Sequence, residues 1–177
     1  SLGSSGKIKE YLYSLLGKYY YKFGKYSLAE ESFNYGKALE VSDSSKWRMS
    51  ILNSIKYYEA KMQIEKYNNY NKAIPNLIEI FDYNVERKDT TEILIILSEL
   101  LLSLQYLAKE TEILTYTNQI NNYLNSSYDF NDKTLLEVYF RLSELYKGKN
   151  NDLYEKFKSL SINHMDKYLN SFITQED

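Results

Sequence analysis

The chain has 177 residues and a formal net charge of −2, from 22 basic and 24 acidic side chains. This near balance argues against a dedicated nucleic-acid-binding surface, which needs an excess of positive charge. Cysteine is absent, so disulfides and thiolate metal sites are excluded. One proline and six glycines supply too few turn residues for a β-sandwich or barrel, and we therefore expect an all-α fold.

The composition varies along the chain, from a Gly/Ser-rich start to an apolar stretch in the middle. Residues 1–6 have no apolar core of a signal peptide, and we interpret them as a cloning scar or linker before a domain at 7–177. The most apolar stretch, Ile93–Leu107, is interrupted by polar residues such as Glu99. It is too short and too polar to cross a bilayer, so we expect a buried helix and a cytoplasmic protein.

Apolar residues recur at spacings of three and four through most of the chain, the pattern of amphipathic helices. On the first helix the apolar face consists of Leu12, Leu15, Leu16, Tyr19, Tyr20 and Phe23. Gly24 is predicted to end that helix. The inner face of the second helix is predicted to carry Leu28, Ala29, Phe33, Gly36 and Leu39. The stretch Ser42–Ser45 offers an N-cap for a third helix from about Lys46 to Lys66.

The remaining helices follow the same pattern. Asn68 and Asn69 are predicted to end the third helix, and the fourth should carry Pro75 in its first turn, where a missing N–H costs little. Ile93–Leu107 is predicted to pair with a sixth helix that ends at a loop over Asn125–Asn131. The last pair and a final capping segment are predicted at Leu135–Tyr146, at Leu153–Ile162 and on to about Phe172.

A signature spans the first two predicted helices, with small residues where the helices cross and aromatic residues between them. Its members are Tyr13, Leu16, Gly17, Tyr20, Gly24, Tyr26, Ala29 and Phe33. This segment resembles a tetratricopeptide repeat. Positions equivalent to Gly17 are expected near Lys61, Ser98 and Ser143, at intervals of roughly 37 to 45 residues against the standard 34. The resemblance implies about four antiparallel helix pairs and a C-terminal capping helix, stacked into a right-handed α-solenoid.

A second resemblance lies in the run Tyr67–Leu77, which is similar to hairpins in the tetratricopeptide receptor domains of Gram-positive peptide-pheromone sensors. That resemblance implies a domain that binds a short signalling peptide on its concave face, within a quorum-sensing transcriptional regulator. The alternative is a generic scaffold or adaptor that mediates protein–protein interaction. A helix-turn-helix upstream in the full-length protein would favour the receptor.

In tetratricopeptide arrays the first helix of each pair lines the concave groove, so the resemblance implies a set of groove positions. They are Ser14, Lys18, Tyr21, Lys22, Asn53, Tyr58, Met62, Lys66, Glu99, Ser103, Phe140 and Glu144. Lys18 and Lys22 are one helical turn apart and could form half of a clamp for a carboxylate, although adjacent lysines are often only solvated. Asn53 and Asn71 are candidate amides for pairing with a peptide backbone.

Signals for catalysis or metal binding are not found. His164 is the only histidine, and without a second histidine or a cysteine we expect no metal site and an exposed side chain. We expect no enzyme activity and no cofactor, since neither a nucleophile–base–acid set nor a Gly-rich phosphate loop is recognisable. Glu30 and Glu31 are expected to be surface charges.

The expected partner is a peptide or protein in the groove, not nucleic acid or membrane, and homodimerisation stays open. Core positions rather than a base-stacking surface are expected for Tyr19, Tyr20, Tyr26 and Tyr146.

Overall fold

The computed structural model of the chain describes residues 2–39 and 46–173. Within those ranges the chain forms eight helices joined by turns and no strand, which confirms the all-α prediction. The helices are α1 Leu2–Lys22, α2 Tyr26–Ala38, α3 Lys46–Glu65, α4 Tyr70–Arg87, α5 Thr90–Tyr106, α6 Glu110–Leu124, α7 Asp132–Tyr146 and α8 Asn151–Ile173. The predicted N-cap at Ser42–Ser45 lies outside the described residues.

The chain divides into two compact units, Ser1–Ile80 and Phe81–Asp177, and the division falls inside α4. In the first unit α1 packs against both α2 and α3, and α2 also contacts α3. In the second unit α5 contacts α6 and α7, and α7 packs along α8. The first helix of a pair, α1 in one unit and α5 in the other, therefore contacts its partner helix and also the first helix of the next pair. Consecutive helix pairs are expected to pack in this way.

One turn conformation recurs at the end of the first helix of every pair. The residues in the left-handed region there, with φ between 49° and 72°, are Gly24, Asn68, Ala108 and Gly148. This conformation lets the next backbone N–H reach back to the end of the helix. Lys25 N donates to Tyr20 O at 2.9 Å, and Lys109 N donates to Leu104 O at 3.1 Å. A fifth left-handed residue, Lys88 with φ 58°, follows α4, the second helix of its pair. The four turns that follow a first helix lie 44, 40 and 40 residues apart, so the pairs repeat along the chain.

These turns also fix which residues are equivalent between pairs. Nine residues after the left-handed residue of each of the four turns that follow a first helix, a buried position recurs, occupied by Phe33, Leu77, Thr117 and Phe157. Seven residues before it, the equivalents of Gly17 are Lys61, Leu101 and Arg141. The expectation at Lys61 agrees, whereas Ser98 and Ser143 are three and two residues away. The later pairs have no small residue at this position, so a search for one finds a nearby serine instead.

Each unit has its own hydrophobic core. In the first unit one buried cluster contains Ala29, Phe33, Ile51, Ile55 and Met62, with Tyr20, Tyr21, Tyr26 and Tyr58 packed around it. In the second unit α5 is central, because ten of its residues between Ile93 and Leu104 are buried. The prediction of a buried helix there is confirmed. Among the described helices, none combines the length and the apolar character needed to cross a bilayer.

The apolar face of α1 is exposed, whereas an apolar helix face is expected to be buried. Leu12, Tyr19 and Phe23 are 54%, 55% and 64% exposed, so the core position expected for Tyr19 is wrong. The opposite side, with Ser14 and Gly17, is buried instead. Because Gly17 has no side chain, the ring of Phe33 on α2 packs directly on the α1 backbone. On α2, Leu28 is likewise exposed, while Ala29, Phe33 and Gly36 are buried as predicted.

Two predicted helix features are wrong. Because α4 begins at Tyr70, Pro75 is its sixth residue and lies beyond the first turn, inside the helix. Its missing N–H leaves the carbonyl of Asn71 without the usual helical donor. In addition, α8 is one continuous helix to Ile173, so there is no separate capping segment. No glycine or proline follows Asn151 in α8, and nothing in its sequence stops the helix.

Candidate functional site

A polar cleft of about 350 Å³ opens between α2, α3 and the first turns of α4, all within the first unit. Each helix contributes two polar residues spaced by four positions, and the buried Met62 completes the lining. This spacing places both residues of a pair on one helix face, one turn apart. The pairs are Glu30 with Asn34, Glu59 with Gln63, and Lys72 with Asn76. We call this site the amide cleft.

The two carboxylates of the amide cleft are already engaged within the chain. Glu30 accepts a hydrogen bond from the Tyr67 hydroxyl at 2.9 Å, and that hydroxyl accepts one from Lys66 Nζ at 2.6 Å. Glu59 forms an ion pair with Lys37 at 2.5 Å. These contacts tie α2 to the end of α3 and to the turn that follows it, and they hold both walls of the cleft in place.

The other polar groups of the amide cleft differ, because their side chains are not engaged. Within the described residues, the amides of Asn34, Gln63 and Asn76 form no hydrogen bond and the Lys72 ammonium forms no ion pair. A side-chain amide offers both donors and an acceptor, which match the C=O and N–H of a peptide group. An ammonium group offers three donors to a carboxylate or carbonyl. The cleft therefore presents unused hydrogen-bonding groups suited to a polypeptide backbone.

A row of tyrosines capped by lysines occupies another part of the first unit. Tyr58 and Tyr21 have ring centroids 5.1 Å apart, and Tyr21 and Tyr26 are separated by 5.9 Å, both with edge-to-face geometry. Lys18 Nζ lies 5.7 Å from the Tyr58 centroid, and Lys66 Nζ lies 5.7 Å from the Tyr26 centroid. Both cations are within the range of favourable cation–π contact. We call these five residues the tyrosine row.

The hydroxyl of Tyr21 anchors this row to α3. It donates a hydrogen bond to Glu65 Oε2 at 2.6 Å. Burial raises the pKa of Tyr21 well above its ordinary value, and the hydrogen bond to Glu65 raises it further. The hydroxyl is therefore protonated at neutral pH and acts as a donor. Its carboxylate partner is held in place rather than released to a ligand.

Of the groove residues predicted in the first unit, the structure brings four together in the tyrosine row: Lys18, Tyr21, Tyr58 and Lys66. Met62 instead lines the amide cleft. Lys22 is exposed, whereas Ser14 and Asn53 are buried. The Asn53 amide donates to Met49 O in its own helix at 2.9 Å. Ser14, Asn53 and Met62 expose little surface, since each is at most 7% accessible.

The groove residues predicted in the second unit form a separate group. Arg141 Nη2 donates to Glu99 Oε1 at 2.5 Å, and the Ser103 hydroxyl donates to the Glu99 carbonyl at 2.9 Å. Glu99 and Ser103 are both buried, and the Glu99 side chain is paired with α7 rather than facing solvent. Phe140 is 55% exposed, and Glu144 forms an ion pair with neighbouring Lys147 at 3.2 Å.

His164 is not exposed, contrary to expectation. Its Nδ1 lies 2.7 Å from Asp132 Oδ1, its ring stacks on Tyr139 at 5.5 Å, and its side chain is 12% accessible. The continuous α8 places the ring against Asp132 at the beginning of α7. Across residues 2–39 and 46–173, no group of three His, Cys, Asp or Glu side chains is arranged to hold a metal ion.

Sequence reasoning did not identify the amide cleft, apart from Met62. Asn34, Gln63, Lys72 and Asn76 were not among the predicted site residues, and Glu30 was expected to be a simple surface charge. The signal that could have identified them is a polar pair at a spacing of four on each of three successive helices. Single helices often carry such pairs, so the signal becomes specific only when the helices are known to meet.

Comparisons of the chain with known proteins provide no family for this site. No protein-family model, no curated protein and no solved structure matches the chain.

Proposed function

We propose that the chain is a polypeptide-binding helical-repeat domain, and that the amide cleft holds an extended segment of the bound polypeptide. The observation that carries this proposal is the convergence of three amides and the Lys72 ammonium, none engaged within the described residues, on one cleft. Amides at Asn34 and Asn76 would pair with peptide groups whatever the ligand's side chains. Lys72 would bind a ligand carboxylate, and Met62 would adapt to an apolar side chain.

The proposal includes the fold implied by the tetratricopeptide resemblance, a right-handed solenoid of four helix pairs. Two observations support it. The left-handed turn recurs in each pair, and the position nine residues beyond it is buried every time. At the signature positions of the first pair, Gly17, Ala29 and Phe33 are all buried. Stacked pairs of this kind present extended surfaces for polypeptide partners.

We further propose that the domain is the peptide-sensing receptor of a bacterial transcriptional regulator of the quorum-sensing type, acting in the cytoplasm. The support is the position of the run Tyr67–Leu77, which resembles pheromone-receptor hairpins. Lys72 and Asn76 from this run line the amide cleft, and Tyr67 binds Glu30 at the cleft wall. The alternative is a generic adaptor. A receptor should bind a free short peptide with its full affinity. An adaptor should bind the segment only when it is part of a larger partner protein.

Selection from a library of short randomised peptides displayed on phage tests the proposal, followed by calorimetric titration of the selected peptides. The cleft variant combines Asn34→Ala with Asn76→Ala. The matched control combines Asn118→Ala with Asn122→Ala, which removes the same number of amides from exposed asparagines of α6. We expect the cleft variant to bind at least about tenfold more weakly, since each tenfold corresponds to about 1.4 kcal/mol.

The control variant should bind the selected peptides as the unmodified chain does. Both variants should melt at the temperature of the unmodified chain, because the replaced amides are not engaged within the described residues. Equal affinities for the cleft variant and the unmodified chain would show that the selected peptides bind elsewhere, and the assignment of the amide cleft would then be wrong.

A further inference from the structure

The first helix presents an apolar face to solvent that the rest of the unit does not cover. Six large apolar residues of α1 form this face, and they are between 39% and 64% exposed. They are Ile8, Leu12, Leu15, Leu16, Tyr19 and Phe23, which we call the α1 stripe. Successive members are spaced by three or four residues, apart from adjacent Leu15 and Leu16. This spacing is the one at which helices interlock side chains along a shared seam.

The equivalent face of α3, in the next helix pair, indicates what kind of element could cover the α1 stripe. Relative to the left-handed turn of each pair, Glu59 and Gln63 on α3 are equivalent to Leu15 and Tyr19 on α1. Glu59 and Gln63 face α2 across the amide cleft, where Asn34 lies. On α3 this face is therefore flanked by a helix of the preceding pair. On α1 the equivalent face is apolar, and no helix of the described first unit covers it.

The charges around the α1 stripe indicate the chemistry of a helix that could bind it. Lys9 and Lys22 flank the stripe, one near each end and on opposite edges, since they are about 140° apart on a helical wheel. Both are exposed, and neither forms an ion pair within the described part of the first unit. The one carboxylate described on α1 is Glu10, which is fully buried and paired with Arg48 Nε at 3.1 Å. A second α1 would therefore bring lysines together without an exposed carboxylate to offset them.

We propose that the α1 stripe binds an amphipathic helix of a partner protein, one with an apolar seam and acidic residues along its edges. The apolar seam would cover Leu12, Leu15 and Tyr19, and the acidic edges would lie against Lys9 and Lys22. This surface is distinct from the amide cleft, which is polar and suited to an extended segment. The two proposals can therefore fail separately.

The test uses the full chain and three synthetic helical peptides labelled with a fluorophore. The first peptide has a leucine seam and glutamate edges, the second has the same seam with lysine edges, and the third keeps the glutamates but replaces the seam with glutamine. Fluorescence anisotropy measures each affinity at low salt and again at about 0.1 M salt, where exposed charges are screened beyond about 10 Å. We expect the first peptide to bind, the other two to bind at least about tenfold more weakly, and salt to weaken the first.

Variants of the chain locate the binding surface. Leu12→Gln with Leu15→Gln should weaken the first peptide at least about tenfold, and Lys9→Glu with Lys22→Glu should weaken it and reduce its salt dependence. Leu114→Gln, at a 64% exposed leucine of α6, is the control and should change nothing. Equal loss with Leu114→Gln, or equal binding of the lysine-edged peptide, would overturn the proposal.

Two further measurements distinguish other occupants of the stripe. Sedimentation velocity of the chain alone should show no self-association that Leu12→Gln with Leu15→Gln removes. Vesicles of phosphatidylglycerol should not retain the chain on flotation. Stripe-dependent self-association would identify a second copy as the occupant, stripe-dependent flotation would identify an anionic membrane, and either result would overturn the proposal.

Discussion

Gly17 on α1 lies against the ring of Phe33 on α2 so closely that a Cβ atom at position 17 would stand 2.5 Å from Cδ1 and 2.8 Å from Cζ. Phe33 is fully buried, so the ring cannot move into solvent. Gly36, also buried on α2, differs: its added Cβ would lie 3.4 Å from the Cβ of Tyr13, an ordinary contact distance. The first helix pair thus depends on the absence of a side chain at position 17.

This contact predicts different results for the same substitution at two glycines. Gly17→Ala should destabilise the chain, because overpacking costs about 1–3 kcal/mol and exceeds the gain of up to about 1 kcal/mol from replacing a helical glycine. Gly36→Ala should be neutral or slightly stabilising. Urea denaturation with a common m-value measures both free energies of unfolding. Similar free energies for the two variants would mean that Phe33 can move aside and that the close crossing is not required.

The ion pair of Glu99 and Arg141 predicts that replacing the two residues has coupled effects on the free energy of unfolding. Their side chains are 5% and 15% accessible. Replacing either one alone by methionine removes their mutual ion pair from a largely buried position and should cost about 3 kcal/mol, although Arg141 keeps its second ion pair with Glu137 at 3.5 Å when Glu99 is replaced. The double variant should lose clearly less than the sum of the two single losses. Thermal or urea unfolding of all four chains gives the coupling energy, and additive losses would show that the pair is not coupled.

Tyr21 predicts a difference in alkaline stability. Because its pKa is raised in the folded chain, the unfolded chain loses the proton first as the pH rises above about 10. The stabilising contribution of the Tyr21 hydroxyl is therefore complete below about pH 10 and is lost above it. Tyr21→Phe should be less stable than the unmodified chain by about 1 kcal/mol at pH 8, through loss of the hydrogen bond to Glu65.

That difference should shrink steadily between about pH 10 and pH 11, since phenylalanine has no proton to lose. Urea midpoints at several pH values measure the trend. Tyr128→Phe, at an exposed loop position, is the control for removal of a hydroxyl. A difference for Tyr21→Phe that stays constant up to pH 11 would contradict the raised pKa.

Sequence patterns identified the helices better than they identified which face of a helix is buried. Gly24 ends α1, α3 spans nearly the predicted Lys46–Lys66, and the Asn125–Asn131 loop is present, because turn residues and periodicity act locally. On α1, however, the apolar face is exposed and the side carrying Ser14 and Gly17 is buried. Periodicity locates an apolar face but does not state which neighbour covers it, and here small residues that permit close helix crossing decide the packing.

The candidate site was predicted less completely than the fold. Lys18, Tyr21, Tyr58 and Lys66 were selected from one resemblance, and the structure does bring them together in the tyrosine row. The amide cleft depends on three helices that meet although their polar pairs are far apart in the sequence. No local pattern contains that information. The same limitation applies to Glu99, whose ion-pair partner Arg141 lies on another helix.

The most direct test of the central claim is a nuclear magnetic resonance titration of the ¹⁵N-labelled chain with a peptide selected for binding. The side-chain amide signals of Asn34, Gln63 and Asn76 are assigned from the corresponding alanine variants, and those of Asn118 and Asn122 on α6 serve as an internal reference. If the amide cleft binds polypeptide, the three cleft signals should shift together and saturate with one dissociation constant while the reference signals stay in place. Saturable binding that moves other signals and leaves all three cleft amides unchanged would contradict the account.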